Sequence, residues 1–158
     1  MSRTKVLFVC LGNICRSPMA ECVMKALIDE KNIKGVTVDS VGLIGYHTGE
    51  EPDSRMRAAA RDKGYIMRHR ARKISDDDFR TADLIIGMDG DNITRLRHIC
   101  PKTEYLSKIH SVAEYFHGIT GYTTVPDPYY GTERDFYKVI ELLENACEGI
   151  MNEIDLLD

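Results

Sequence analysis

The sequence predicts an α/β fold: an open, mostly parallel four-stranded sheet with helices on both faces, forming one domain over residues 1–158. Three observations carry this. Short β-rich apolar runs alternate with longer segments of helical period. The first of those runs, residues 5–10, is apolar without alternation, as a strand buried on both faces is. At 158 residues with 43% apolar content, the chain can fill one sizeable core, and a second core of its own is not expected.

Residues 5–10 (K-V-L-F-V-C) give the first strand. Ser17 is a strong N-cap type, and Pro18 at a first helical position loses no needed hydrogen bond, so a helix is expected to open there. That helix carries Met19, Val23, Ala26 and Leu27 as apolar positions and ends at Asn32 and Gly35. Residues 36–41 read as a second strand, and residues 51–63 as a helix stopped by Gly64. A short helix near 76–81 precedes a third buried strand at 84–88, and a helix at 91–99 is halted by Pro101. A weak fourth strand is expected near 104–106 and a short helix near 112–116. Thr132, with Asp135 three residues on, makes a capping-box-like start for the last helix. Its apolar stripe is Phe136, Val139, Ile140, Leu143, Ala146, Cys147, Ile150 and Ile154. In such sheets sites form beyond the carboxyl ends of the strands, where the loop after Cys10 lies.

Composition narrows the function. The longest near-apolar runs fall far short of the roughly 20 residues of a membrane span, and the N-terminus lacks a secretory apolar stretch. A net charge of −4 argues against a general nucleic-acid binder. The charge is uneven: residues 55–73 hold eight Arg or Lys against Asp62 alone, which reads as a solvated face or as attraction of an anionic substrate. The five cysteines (Cys10, Cys15, Cys22, Cys100 and Cys147) form no C-x-x-C pair and no zinc-like spacing. That points to a reduced, cytoplasmic compartment, to no metal or cofactor, and to one thiol being chemically active.

The segment from Cys10 to Ser17 places a thiol at a strand end and Arg16 at an expected helix start. Unpaired N–H groups and the partial positive charge of a helix N-terminus make a loop curling there a phosphate cradle. Gly12 and Asn13 accept left-handed backbone angles, which lets successive amides point inward. The same field favours a thiolate, and the planar fork of Arg16 suits two phosphoryl oxygens.

V-C-L-G-N-I-C-R-S-P resembles the phosphate-binding loop of the low-molecular-weight protein tyrosine phosphatases. Further matches in order and spacing are Asp39-Ser40-Val41-Gly42, Tyr46-His47-Thr48-Gly49, Arg55, Gly64, His69, Arg72, Met88-Asp89 with Asn92, and Asp127-Pro128-Tyr129-Tyr130. The resemblance implies the fold of phosphotyrosine protein phosphatase I. It also implies a cofactor-independent enzyme that hydrolyses phosphotyrosine proteins and small aryl phosphates through a phosphocysteine. Cys10 would be the nucleophile, Arg16 the phosphate clamp and Asp127 the general acid and base. Chemistry asks independently for such an acid, since a leaving phenolate or alkoxide needs a proton; taken alone, Asp127 reads as an Asp-Pro turn residue.

By the same resemblance Leu11, Gly12, Asn13, Ile14, Cys15 and Ser17 surround the phosphate or a phosphate-like anion. Asn13, Ser17, Ser40 and His69 would form a network behind the loop. Ser17 has an alternative as the N-cap, while Ser40 and His69 have one as ordinary surface residues. Tyr46, Tyr129 and Tyr130 look like walls of an aryl-deep slot, or like packing of exposed loops. Val41 and Leu43 depart from the family's usual alanine and threonine, which puts substrate preference in doubt. Cys15 reads as a redox partner for Cys10 or as a small apolar filler. A monomer is expected. The rival readings are an arsenate reductase, disfavoured because residues 88–99 carry no further cysteine, and a phosphotyrosine binder without turnover.

Overall fold

Alternation along the first strand sets the architecture. In β1 (Thr4–Cys10), Val6, Phe8 and Cys10 face one side while Leu7 and Val9 face the other, and all five are buried. Our computed structural model describes residues 3–157, with side chains through Asp155; Met1, Ser2 and Asp158 lie outside the described residues. β1 pairs in parallel with β2 (Val36–Gly42) and β3 (Leu84–Gly87), and β3 with β4 (Ile109–Ser111), giving the order β2-β1-β3-β4. The sheet is parallel throughout. After β1 the chain turns to β2, then crosses back to β3, so the loop beyond Cys10 sits at the point where the strand order reverses.

Helices cover both faces, as the sequence predicts. The Val6–Phe8 side packs on α1 (Arg16–Glu30), α2 (Ser54–Asp62) and α5 (Glu133–Leu157), through Met19, Met56 and Phe136 among others. The Leu7–Val9 side packs on α3 (Asp76–Thr81) and α4 (Gly90–Ile99) through Phe79 and Leu96. Every residue of the predicted α5 stripe is buried. Thr132 N–H donates to the Asp135 carboxylate at 2.7 Å, closing the expected capping contact. A fully buried aromatic such as Phe8 would cost about 3–5 kcal/mol to truncate to alanine.

Three element placements and one backbone torsion differ from expectation. Ser17 is not the N-cap of α1: the helix opens at Arg16 with Cys15 in the capping position and no side-chain cap, and the Ser17 hydroxyl is used elsewhere. α2 starts at Ser54, three residues late, because Pro52 disfavours helix at Glu51 and Asp53 caps through bonds from the Arg55 and Met56 amides. Residues 104–106 are not a strand. They lie in a 3-10 helix (Thr103–Lys108), and the Lys108 ammonium donates to the Phe79 and Arg80 carbonyls, so pairing begins only at Ile109. Gly12 is also absent from the left-handed region, where Asn13 sits with φ 59°.

Candidate active site

Close backbone approach shapes the site. The loop from Leu11 to Cys15 folds over the end of β2, where a Cβ on Gly42 would lie 3.0 Å from the Leu11 carbonyl oxygen and 3.1 Å from the Asn13 Cβ. The Leu43 amide donates to the Cys10 and Leu11 carbonyls, tying the loop to the sheet edge. Gly12 serves space rather than torsion, since a Cβ there would sit 3.1 Å from the His47 ring. Asn13 is the residue that reverses the chain.

A pocket of about 270 Å³ opens inside this loop. Cys10, Leu11, Gly12, Ile14, Cys15 and Arg16 form its floor. Its walls are Ile44, Tyr46 and His47 on one side, with Asp127, Tyr129 and Tyr130 on the other. Tyr46 and Tyr130 are 84% and 96% exposed, so their rings stand free at the mouth. Of the five cysteines only Cys10 and Cys15 line the pocket. Cys100, the nearest to the helix a reductase would use, ends α4 instead and points its thiol at the Lys102 carbonyl.

Asn13 and Ser17, expected around the phosphate, lie behind the floor with their side chains buried away from the pocket. The Asn13 side-chain oxygen accepts from the Arg72 backbone N–H at 3.0 Å, which fixes the amide orientation. Its Nδ2 then donates to Ser17 Oγ at 2.8 Å and Ser40 Oγ at 3.1 Å. With that lone pair occupied, the Ser17 hydroxyl proton is free for Cys10 Sγ at 3.0 Å, nearer than the Val41 carbonyl at 3.4 Å. Ser17 N–H also lies 3.5 Å from the sulfur.

The chain of contacts continues to His69. Its Nε2 faces the Asn13 oxygen at 2.6 Å and its Nδ1 the Glu21 carboxylate at 3.1 Å, so both ring nitrogens meet acceptors. Burial pushes Glu21 up, but hydrogen bonds from His69, Lys25 and Ser40 outweigh it and hold the carboxyl below its ordinary range. Ser40 and His69 are therefore network residues, not free surface. Glu21, Asp39 and His69 also bring one ligand atom each within 4.8 Å of one another. Lys25 on Glu21 and Arg72 on Asp39, each at 2.7 Å, already neutralise the carboxylates, which suits an ion-paired brace better than a cation site.

Arg16 is buried yet fully engaged. One guanidinium nitrogen donates to Asp89 at 2.6 Å and to the Val125 carbonyl at 3.0 Å, and the other lies 3.6 Å from the Asp127 carboxylate. Burial works against its charge, but Cys10, Asp89 and Asp127 prevail and raise it above the ordinary arginine value. Asp89 also caps α4 by accepting from the Asn92 amide at 2.8 Å. Asp127 is half-exposed, its other oxygen accepting from the Tyr129 amide at 3.0 Å. Arg55, held by Asp53, lies over the Tyr129 ring at 5.3 Å and fixes that wall. Cys15 is buried, and burial with the nearby Asp53 carboxylate pushes its thiol up.

Sequence reasoning missed Asp89, Val125 and Glu21 as supports and Ile44 and His47 as walls. Asp89 stood among the quoted matches, but nothing in the sequence paired it with Arg16.

A family model described as low molecular weight phosphotyrosine protein phosphatase matches residues 5–156. A putative low molecular weight protein-tyrosine-phosphatase of Synechocystis sp. is 42% identical over 151 residues, covering 95% of this chain and 96% of that one. A human low molecular weight phosphotyrosine protein phosphatase is 37% identical over 150 residues, covering 94% of each. The crystal structure of a protein tyrosine phosphatase from Entamoeba histolytica, with Hepes in its active site, superposes with TM-score 0.93 at 42% identity over 97% of each chain.

Proposed function

We propose a residue-level mechanism for this chain, which belongs to the low molecular weight phosphotyrosine protein phosphatase family. It hydrolyses phosphotyrosine and small aryl phosphates through a phosphocysteine. Cys10 is the nucleophile, Arg16 the phosphate clamp and Asp127 the general acid and then base. The match over nearly the whole length supports reading residues 1–158 as one phosphatase domain.

The observation that carries this reading is the meeting of three groups in one pocket: a thiol with hydrogen-bond donors on it, a buried arginine and a half-exposed carboxyl. Cys10 Sγ attacks phosphorus and the bond to the phenolic oxygen breaks. That oxygen takes the proton of Asp127, so the leaving group departs neutral. Arg16, its position set by Asp89 and Val125, holds the equatorial oxygens where charge builds. Water then attacks the phosphocysteine and gives a proton to Asp127. Inorganic phosphate leaves, and the thiolate returns under the Ser17 hydroxyl.

Tyr46, Tyr129 and Tyr130 flank the ring of the substrate, and Leu11 and Ile14 contact it from the floor. No helix among the described residues is long and apolar enough to cross a membrane. Its free cysteines suit a reducing compartment, so we place the protein in the cytoplasm. Hydrolysis of para-nitrophenyl phosphate without added metal tests the reading. Cys10→Ser should abolish turnover and still bind phosphate; residual activity within about tenfold of wild type would overturn the assignment of the nucleophile.

A further inference from the structure

The basic block at 55–73 divides in the structure. Arg55 is held by Asp53, and Arg72 by Asp39 and Asp78, so these are braces. Four others, Arg57, Arg61, Arg68 and Arg70, line a single groove of about 350 Å³ outside the catalytic pocket. The only carboxylate in its lining is Glu51, which lies 3.5 Å from Arg57 and 3.7 Å from Arg70. The guanidinium groups of Arg61 and Arg68 make no ion pair or hydrogen bond among the described residues, and both residues are exposed. On a chain of net charge −4 this is a local inversion of charge. Ile66, 64% exposed, and the half-buried Met67 add an apolar strip beside the guanidinium groups.

We propose that this groove docks an acidic segment of the phosphoprotein substrate, an inference that rests on the phosphotyrosine reading above. Reach supports it. His47 lines the catalytic pocket and Glu51 lines the groove, and the four residue steps from one to the other span at most ~14 Å of extended chain. A substrate chain of about the same number of residues therefore bridges phosphotyrosine and acid. Charge complementarity selects the occupant, because four guanidinium groups over one carboxylate match a run of Asp and Glu. The apolar strip suits side-chain stems of a peptide.

Two phosphotyrosine peptides test this, identical except for Glu or Ser in the run about four positions from the phosphotyrosine. Wild type should favour the acidic peptide in kcat/KM by about three- to tenfold at low salt, the scale of two exposed ion pairs. The preference should vanish in high salt and in the Arg61→Ala/Arg68→Ala double variant, with para-nitrophenyl phosphate hydrolysis unchanged. Fluorescence anisotropy of the labelled peptides, read on Cys10→Ser with and without the two arginine changes, reads the groove without turnover. Failure of wild type to hydrolyse para-nitrophenyl phosphate would overturn the enzymatic reading, leaving the groove to be judged on anisotropy. Equal binding and kcat/KM for both peptides, or a preference that survives in the double variant, would overturn the docking proposal. So would tighter binding of a single-stranded RNA than of the acidic peptide.

Discussion

Replacing His69 with alanine removes both contacts by which its ring joins the phosphate loop to Glu21, leaving the path through Ser40. The ring spans from Asn13 at 2.6 Å to Glu21 at 3.1 Å, and the side chains of His69 and Glu21 are only 10% and 7% exposed. Leaving a buried carboxylate and a buried amide oxygen each short of one donor costs about 1–3 kcal/mol apiece. Glu21 keeps Lys25 at 2.7 Å and Ser40 at 2.8 Å, which offsets part of that loss. We expect about 2–4 kcal/mol, and for a chain of this size 3 kcal/mol is a fall in Tm of about 6–12 °C. Urea unfolding at constant m measures it, with His69→Gln, which keeps one donor, falling between. The pH dependence adds a second readout. The Glu21 carboxyl lies below its ordinary value of 4.5, so the stability it contributes is present above that pH and is lost as pH falls through the folded value. Because His69 is one source of that depression, the gap between wild type and His69→Ala should narrow on acidification below pH 4.5. A loss under about 1 kcal/mol, or a gap that stays constant in acid, would refute the brace.

Asp127→Asn should slow aryl phosphates with poor leaving groups by about 10²–10⁴ and those with good ones far less. Equal loss across a leaving-group series would make Asp127 a turn residue. Cys15→Ser should keep most activity but lose recovery by dithiothreitol after peroxide; the raised Cys15 thiol makes capture of an oxidised Cys10 slow in wild type, and full recovery in the variant would leave Cys15 a filler. Gly149→Ala, which helix propensity alone favours by about 1 kcal/mol, should instead destabilise, because its Cβ would clash with the Tyr115 carbonyl oxygen where α5 packs on the 3-10 helix Val112–Tyr115. A rise in Tm would contradict that packing.

What the sequence makes legible follows from locality. β1, β3 and the stripe of α5 are periodic or uniformly apolar runs and are buried nearly throughout as the pattern asks, whereas in α1 Met19 and Val23 are buried but Ala26 and Leu27 only half-buried. β4 is three residues long and is placed by Lys108 reaching the end of α3, a contact 29 residues away that no local pattern records. The floor of the site is likewise local, since Cys10 through Arg16 is one continuous loop. Its supports are not: Asp89 meets Arg16 across 73 residues and His69 meets Asn13 across 56. Ser17 shows the limit at a single position, where a residue with strong capping preference gives its hydroxyl to a sulfur and the helix starts two residues earlier than that preference implies.

The covalent step at Cys10 is the centre of the mechanism, and rapid-quench mass spectrometry reads it directly. Asp127→Asn, slowed in hydrolysis of the intermediate as well as in its formation, is mixed with para-nitrophenyl phosphate, quenched in acid within the first turnover and digested. The peptide containing Cys10 should carry the mass of one phosphoryl group, and Asp127→Asn combined with Cys10→Ser should show none. Continued turnover with no phosphorylated peptide, or with the phosphoryl group on Cys15, would contradict the mechanism.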